Sequence, residues 1–599
     1  MAINEEQVHN GIPASPGIII GVTKSLARNN EPVQPEPIDD PELEIRTFRN
    51  AISQVKAGLE RTAASVLQKH GQEFARIFDA QSMIASDEVW NKNIEQKIRD
   101  EKLCAEYVYY NESNKVISKL EQSQDSYLKE RILDIQAVTS RLISQMRGEK
   151  HITVKGFKGA TVVVARYLLP SDILAMSFKR NLGFATSVGG PTSHAALMAK
   201  SLGIPAVLGL GSVAEETPSG RSVIIDGYSG HLIVEPAPPT ISHYRGLKRS
   251  EAQLKRQLSE LKSQEAITRD GVRINILANI EIPGEVPKVL SAGASGIGLF
   301  RTEYLFLTRS EFPSFDEQFK AYSGVLRKMG NRPVVIRTFD MGGDKFPGMT
   351  GMLYESNPFL GWRAIRFCLD RPEIFKVQLK ALLKSSPYGE LSVMIPMISN
   401  YEELIQTKRI FEECRQELLS EKVKLAEKVP FGIMLEVPSA VMIAEHLAPQ
   451  VDFFSIGTND LIQYTVAVDR DHELLSKLYQ SFHPSVISLI KMAVKAAHKY
   501  HKKVSVCGEM AADPLAAVLL IGLGIDELSA SFQMTGILKK IVMSITYSRA
   551  RSIANNVLEM KTHGEIEEYL KKELSKSFPE IMPVIKFSRR NKDGKYPGA

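Results

Sequence analysis

Cysteine and long apolar runs are scarce in this sequence. The four cysteines among 599 residues lie far apart and form no CxxC pair; they are Cys104, Cys368, Cys414 and Cys507. This spacing argues against a zinc site and against a disulfide framework, and it fits a reducing compartment. No apolar stretch approaches the roughly 20 residues that a membrane-spanning helix needs. The N-terminus MAINEEQVHNG carries acidic residues and no long apolar run. We therefore expect no secretory signal, no membrane insertion and a cytoplasmic location.

An excess of either charge sign is also missing. The chain has 75 Lys and Arg against 69 Asp and Glu, a formal net charge of +6 at pH 7. Spread over this length, so weak an excess does not favour a nucleic-acid partner. The composition, 43% hydrophobic and 24% charged, is that of a globular protein, and the length predicts two to four domains.

The N-terminal quarter combines a short apolar strand with a long helical segment. Residues 11–25 predict the strand, and a linker rich in proline and acidic residues follows at 31–42. From about 43 to 147 there is no proline, and apolar residues recur three and four positions apart, which indicates helices. This segment is either a helical subdomain inserted into another fold or a plain helical N-terminal domain.

Short β segments replace the helical pattern after residue 151. A polar, helix-prone stretch at 240–266 then bridges to a second half in which β and helical patterns alternate, and this alternation predicts a parallel (β/α)8 barrel. A doubly wound open sheet is the competing arrangement, but no GxGxxG turn follows its first strand. The predicted strands are 161–165, 182–188, 206–210, 222–225 and 232–234, and, for the barrel, 273–279, 296–300, 333–338, 391–397, 431–436, 453–457, 503–507 and 525–529.

Six of the predicted barrel strands end in polar or reactive side chains. Active sites of such barrels lie at the carboxyl ends of the strands, so these side chains are expected to meet. Each one alone is better explained as a surface salt bridge or a solvated loop, whereas six in register favour one shared site. The endings are Asn279, Arg301, Arg337, Glu436, Asn459 with Asp460, and Cys507 with Glu509.

The residue types at these strand ends predict an anionic substrate and a hard cation. Arginine can hold a phosphate or a carboxylate in bidentate fashion. Mg²⁺ is commonly held by two carboxylates together with substrate oxygens, and Glu436 and Asp460 lie on adjacent strands. Cys507 is either an inert buried cysteine or a proton donor or acceptor. The positive residues of the set are Arg301, Arg337, Lys345, Arg363 and Arg470.

His194 falls in the first turn of a predicted helix, directly after a strand and a double glycine. Thr192 or Ser193 can cap that helix, and Gly203 suits the left-handed position at its C-terminus. The N-terminus of a helix presents free N–H groups and the positive end of the dipole, which favours an anionic phosphohistidine. A capping or packed histidine is the alternative for His194 alone.

These motifs together resemble those of Enzyme I of the bacterial phosphoenolpyruvate-dependent sugar phosphotransferase system. The resemblance covers nearly the whole chain. It rests on PASPGI, YLKER, GGPTSHAALMAKSLGIPA, GLFRTEYLF, RTFDMGGDK, GWRAIR, EVPSA, FFSIGTNDLIQYTVAVDR, HPSV and CGEMAAD.

The resemblance implies an activity and a set of residue roles. The phosphoryl group of phosphoenolpyruvate would pass to His194 with release of pyruvate, and then to a histidine of the carrier protein HPr. Cys507 would be the general acid that protonates the enolate of pyruvate. The family also implies Mg²⁺, a swivelling His-bearing domain and a homodimer formed through the barrels. Phosphoenolpyruvate would contact Arg301, Arg337, Asn459, Asp460 and Arg470, and Mg²⁺ would contact Glu436 and Asp460.

The same resemblance implies a domain plan and exposes several departures from the family pattern. Gln81, Ile173, Pro191 and Ala512 stand where the family usually has His, Thr, Arg and Gly. Most of these changes lie on the carrier side, and Ile173 cannot offer the hydrogen bond that the usual Thr gives the active imidazole. The implied domains are 1–33 with 148–238 (phosphohistidine), 34–147 (helical, carrier-binding), 239–266 (linker helix), 267–575 (barrel and dimerisation) and 576–599 (tail).

Two alternatives remain open from the sequence. A dikinase or phosphoenolpyruvate synthase shares the His domain and the barrel, but it needs a nucleotide-binding domain for which the helical first 150 residues offer no pattern. A regulatory protein that senses the ratio of phosphoenolpyruvate to pyruvate would need the barrel without onward transfer.

Overall fold

A computed structural model divides the protein into two compact units between Arg249 and Ser250. Among the residues that it describes, no helix is long and apolar enough to cross a membrane. The described residues are 6–26, 33–70, 72–121, 126–148, 159–177, 181–190, 193–307, 312–342, 357–470 and 472–581.

The first unit contains a sheet of mixed direction, with eight strands among the described residues. The strands are β1 (Gln7–Asn10), β2 (Ile12–Ser15), β3 (Ile18–Ser25), β4 (Thr161–Ala165), β5 (Leu182–Thr186), β6 (Ala206–Leu208), β7 (Ser222–Asp226) and β8 (His231–Val234). Their order is β1-β8-β7-β3-β4-β5-β6-β2. The central neighbours from β3 to β6 run parallel, and the other pairs run antiparallel.

The prediction of one strand over residues 11–25 was wrong. The segment forms β2 and β3, which pair with different neighbours: β2 lies at the edge beside β6, and β3 lies in the centre between β4 and β7. The break falls at Pro16, which has no N–H to offer a strand ladder. The preceding strand β1 was not predicted, because its four residues are mostly exposed and carry no apolar pattern.

Helices of the first unit pack on both faces of this sheet. Phe48, Phe78 and Tyr109 from the helical segment share a buried core with Phe184 of β5. β4 is buried along its whole length, which fits its uniformly apolar sequence TVVVA. The helices are α1 (Pro41–His70), α2 (Gln72–Ala85), α3 (Glu88–Glu101), α4 (Ala105–Glu121), α5 (Ser126–Met146), α6 (Pro170–Ser177), α7 (His194–Leu202) and α8 (Val213–Glu216), followed by α9 (Pro238–Glu260), whose residues from Ser250 onward belong to the second unit.

The second unit is a closed parallel barrel, as predicted. Its eight strands are β9 (Asn275–Ile280), β10 (Ile297–Phe300), β11 (Val334–Arg337), β12 (Leu391–Ile395), β13 (Phe431–Leu435), β14 (Phe453–Ile456), β15 (Lys503–Val506) and β16 (Glu527–Ser531). Each pairs in parallel with the next, and β16 closes the barrel on β9. The doubly wound alternative is therefore excluded, because an open sheet has two unpaired edges and this one has none.

Helices surround the barrel strands. The most apolar of them, PLAAVLLIGL, is wholly buried and packs closely against the helix Tyr547–Leu558. The helices are α10 (Val286–Ala292), α11 (Tyr304–Leu307), α12 (Phe315–Met329), α13 (Ile365–Asp370), α14 (Pro372–Ser385), α15 (Tyr401–Ser420), α16 (Pro438–Met442), α17 (Ala444–Leu447), α18 (Thr458–Val466), α19 (Pro484–Lys499), α20 (Pro514–Leu523), α21 (Thr535–Ser544), α22 (Tyr547–Leu558) and α23 (His563–Ser577).

The predicted linker helix ends earlier than the sequence indicated. α9 stops at Glu260, whereas the helical pattern extends to residue 266. The ammonium of Lys539 on α21 binds the carbonyl oxygens of the next turn, at 3.2 Å from Leu261, 2.8 Å from Lys262 and 2.7 Å from Gln264. Lysine commonly satisfies the last carbonyls of a helix in this way, and the contact ties the end of α9 to the barrel.

Candidate active site

The carboxyl ends of the barrel strands bring most of the predicted site residues together. Arg337 is the last residue of β11, Glu436 follows β13, and Cys507 follows β15. Asp460 lies in the first turn of α18, directly after β14. Because all the strands are parallel, these ends share one face of the barrel, which is where active sites of this fold are built.

Two arginines are joined at this face by one buried aspartate. Arg337 Nη1 lies 2.7 Å from Asp340 Oδ2, and Arg363 Nη2 lies 2.7 Å from Asp340 Oδ1. Arg363 Nε makes a second contact with Oδ1 at 3.2 Å. On its other side, Arg337 Nη2 donates to Glu303 Oε1 at 2.9 Å. The Asp340 side chain is only 3% exposed, so water barely competes for these contacts.

Neighbouring charges keep this cluster ionised. Burial alone would lower the pKa of the Arg337 guanidinium, but Asp340 and Glu303 raise it above its ordinary value. The pKa of Arg363 is raised in the same way, against burial, by Asp340 and Asp460. Burial would raise the pKa of Asp340, yet the two arginines lower it to about 2. Both cations and Asp340 are thus charged at neutral pH.

Glu436 and Asp460 form a pair of buried carboxylates beside the arginines. Glu436 Oε1 accepts a hydrogen bond from the Met397 amide at 2.7 Å. Burial, and after it the negative charge of Asp460, raise the pKa of Glu436 well above its ordinary value. Among the described residues, Asp460 Oδ1 is buried without a hydrogen-bond partner, and Arg363 Nη1 lies 3.6 Å from it.

This carboxylate pair fits a divalent cation. An orphaned, buried carboxylate oxygen is costly unless an ion or a donor reaches it. Within the described part of the chain, no three His, Cys, Asp or Glu residues converge as a complete protein-only metal site. Two carboxylates completed by substrate oxygens and water are the arrangement that Mg²⁺ commonly uses.

Cys507 lies in the barrel interior with an apolar environment. Its side chain packs with Leu299, Met394 and Met434, and it is 2% exposed. Burial raises the pKa of the Cys507 thiol above its ordinary value, so the sulfur keeps its proton at neutral pH. Asn279 Nδ2 donates to the Cys507 carbonyl at 2.9 Å and so attaches this strand end to β9.

The remaining predicted contacts lie at the margin of this cluster. Arg301 Nη1 pairs with Glu281 Oε1 at 2.8 Å, and its side chain is 35% exposed. The guanidinium of Arg470 lies over the ring of Phe359 at 5.7 Å, and Arg363 lies over the same ring at 5.8 Å. Asn459 Oδ1 accepts from the Glu509 amide at 2.9 Å, which joins the loops after β14 and β15. Lys345 lies outside the described residues.

Several residues of the site were not assigned a role from the sequence. Asp340 follows β11 in the quoted RTFDMGGDK motif, but the motif does not indicate that it contacts Arg363. Phe359 carries no sequence signal for the cation–π contacts that it makes. Gln378 on α14 binds the Phe339 amide at 2.9 Å and supports the loop that carries Asp340.

In the first unit, Ser193, one of the two predicted caps, caps the histidine helix, and the other, Thr192, lies outside the described residues. α7 begins at His194, and Ser193 Oγ accepts the amide hydrogen of Ala196 at 3.3 Å. Gly203 ends the helix with φ 65°, in the left-handed region that glycine favours. Ile173, on the neighbouring α6, is fully buried. Gln81 is also buried and donates to Asp134 at 3.3 Å.

Known proteins resemble this chain along nearly its full length. Residues 10–131 match the family described as PEP-utilising enzyme, N-terminal, residues 157–230 match its mobile domain, and residues 255–547 match its PEP-binding domain. Phosphoenolpyruvate-protein phosphotransferases of Bacillus sp. (strain S) and Geobacillus stearothermophilus are each 40% identical over 575 residues, which cover 96% of this chain and 99% of the relative. The enzyme of that name from Staphylococcus carnosus (strain TM300) is 38% identical over 567 residues, which cover 94% of this chain and 99% of the relative. The chain belongs to the phosphoenolpyruvate-protein phosphotransferase family.

Proposed function

We propose that this protein moves the phosphoryl group of phosphoenolpyruvate onto its own His194, releases pyruvate, and passes the phosphoryl group to a histidine of the carrier protein HPr. The observation that carries this proposal is the buried pair of guanidiniums, Arg337 and Arg363, beside the carboxylate pair Glu436 and Asp460. A phosphorylated carboxylic acid needs cations for both of its anionic groups, and it supplies the oxygens that would complete a Mg²⁺ site.

The chemistry assigned to the barrel is phosphoryl transfer followed by one proton transfer. A ring nitrogen of His194 attacks phosphorus, the bond between phosphorus and the enol oxygen breaks, and the electron pair stays on the enolate of pyruvate. Such transfers depend mainly on positioning and charge neutralisation, which the arginines would provide. Bound Mg²⁺ would supply further positive charge, and Glu436 and Asp460 would hold it.

Cys507 is proposed to complete pyruvate formation. The thiol donates its proton to the methylene carbon of the enolate, which converts it to pyruvate, and the resulting thiolate takes a proton back from solvent. A group that acts as an acid must carry its proton at the working pH, and burial favours the protonated thiol.

His194 is proposed to carry the phosphoryl group at the N-terminus of α7. The helix begins at this residue, so the free amides and the dipole of its first turn favour an anionic group there. The proposed domain plan follows the family: residues 1–33 with 148–238 carry His194, 34–147 bind the carrier, 239–266 link, 267–575 form the barrel and the dimer, and 576–599 form a tail. A cytoplasmic homodimer is part of this proposal.

The proposal is tested with purified protein, Mg²⁺ and phosphoenolpyruvate that carries radioactive phosphorus. We expect acid-labile label on the wild-type chain, none on a His194→Ala variant, and transfer of the label to HPr when HPr is added. A wild-type chain that takes no acid-labile label, or equal label on the variant, would contradict the enzymatic activity. Label that stays on the chain in the presence of HPr would support a sensor of phosphoenolpyruvate instead of a relay.

A further inference from the structure

The two barrel arginines share one counterion, in addition to the contact of Arg337 with Glu303 at 2.9 Å and that of Arg363 with Asp460 at 3.6 Å. Arg337 and Arg363 both bind the same side chain, Asp340, one at each carboxylate oxygen, with both shortest contacts at 2.7 Å. The two arginines stand 26 positions apart in the chain and belong to different structural segments, since Arg337 ends β11 and Arg363 precedes α13. Without the shared carboxylate, Arg337 would keep Glu303 and Arg363 would keep only its longer contact with Asp460, in a region from which water is largely excluded.

The backbone that carries Asp340 is held from two sides. The Thr338 amide donates to the Met394 carbonyl of β12 at 3.0 Å, and the Phe339 amide donates to Gln378 Oε1 at 2.9 Å. After Asp340, the Ala364 amide donates to the Met341 carbonyl at 3.2 Å, and Gly342 bridges to Arg363. The backbone of Asp340 is therefore held by hydrogen bonds to neighbouring segments, one of which carries Arg363. Its carboxylate can in this way fix the positions of both guanidiniums.

We propose that Asp340 is a positioning residue that holds the guanidiniums of Arg337 and Arg363 as one unit, ready to bind the phosphate and carboxylate groups of the donor. This inference rests on the proposed function, because it assigns the two arginines to that donor. Asp340 is the one carboxylate that contacts both guanidiniums at 2.7 Å, so a single side chain sets their relative placement. Preorganised cations of this kind bind without first reorganising, which strengthens both binding and transition-state stabilisation.

The test is an Asp340→Asn substitution in the full-length protein. The amide keeps the shape of the carboxylate but removes its charge. Its NH₂ group also places a hydrogen-bond donor against the N–H donors of a guanidinium. We expect the Kd for phosphoenolpyruvate to rise at least about 10-fold and kcat/KM to fall about 10²-fold, the scale of a lost partner in a buried charge pair. Asp452→Asn is the matched control, because Asp452 pairs with Lys428 at 2.8 Å and binds the Phe431 amide at the opposite end of the barrel. It should leave both constants within about threefold.

A double-mutant cycle separates positioning from a general structural role. If Asp340 acts through Arg363, then Asp340→Asn should cost much less in an Arg363→Lys background than in the wild type. If the losses of kcat/KM in the two single variants multiply in the double variant, the two residues act independently, and this result would overturn the proposal. Unchanged phosphoenolpyruvate binding in Asp340→Asn would also overturn it.

A second variant keeps the inference testable if Asp340→Asn does not fold. Asp340→Glu restores the charge but displaces it by one methylene, so we expect a folded protein whose Kd for phosphoenolpyruvate rises about threefold to tenfold. A Glu variant with wild-type affinity, or failure of both variants to fold, would show that Asp340 does not serve to place the arginines. Equilibrium binding of phosphoenolpyruvate separates the positioning role of Asp340 from the proposed phosphoryl transfer to His194. Wild-type protein that binds phosphoenolpyruvate without labelling His194 refutes the proposed transfer, whereas the effect of Asp340→Asn on binding still decides the positioning role.

Discussion

Replacing Cys507 with alanine should slow pyruvate release far more than it destabilises the protein. The Cys507 sulfur is a single buried atom among Leu299, Met394 and Met434, and its deletion resembles the loss of one methylene, about 1 kcal/mol of unfolding free energy. Loss of a general acid costs about 10²- to 10⁴-fold in turnover. That range corresponds to about 3–5 kcal/mol in the barrier. The kinetic effect should therefore exceed the effect on stability severalfold.

The pH dependence of turnover gives a second measure of the same group. Burial raises the thiol pKa above its ordinary value, and an acid is active only while it is protonated. The Cys507 contribution is therefore fully present at neutral pH and is lost as the pH rises through the raised pKa. We expect an alkaline decline of kcat that begins above the range of an exposed cysteine and disappears in Cys507→Ala.

The assay follows steady-state pyruvate release with excess HPr as acceptor, together with equilibrium binding of phosphoenolpyruvate. Binding should stay within about threefold of the wild type, because a protonated thiol supplies no positive charge to an anionic donor. Cys414→Ala is the matched control: Cys414 is also fully buried, but it lies on α15 outside the barrel interior. Turnover of Cys507→Ala within about threefold of the wild type, or an equal loss in Cys414→Ala, would refute the assignment of Cys507 as the acid.

Three further substitutions test how the structure supports the two sites. Lys539→Met should lower the unfolding free energy by about 2 kcal/mol, because three carbonyl oxygens lose a charged donor; an unchanged denaturant midpoint would contradict this. Gly508→Ala would place a Cβ 2.0 Å from Thr458 Oγ1, and the forced shift of the first turn of α18 should slow labelling of His194 at least about 10-fold in a rapid-quench assay. Ser193→Ala should remove the cap of α7 at a cost of about 1 kcal/mol. Faster hydrogen exchange of the α7 amides would reveal that loss, whereas Ser193→Thr should retain protection.

The apolar pattern of the second half was sufficient to predict the barrel. Each of its eight strands lies within two residues of its predicted bounds. Buried parallel strands are continuous apolar runs with helical segments between them. The number of strands and their alternation with helices can therefore be predicted from the local sequence. The strands of the first unit were harder to predict from the sequence, because the edge strand β1 is short and exposed, and because Pro16 divides one apolar segment into two strands with different partners.

The sequence by itself determined which residues end the barrel strands, and it placed His194 in the first turn of a helix capped by Thr192 or Ser193. Those features depend on contacts between residues that are near each other in the chain. Only the tertiary structure decided that Arg337 and Arg363 share Asp340, that Asp460 keeps an oxygen without a hydrogen-bond partner in the described part of the chain, and that Arg301 turns toward Glu281. The contacts of Arg363 with Asp340 and of Arg301 with Glu281 join residues 23 and 20 positions apart, and all of these features depend on side-chain direction and burial. No pattern along the chain records either quantity, because both arise when the barrel closes.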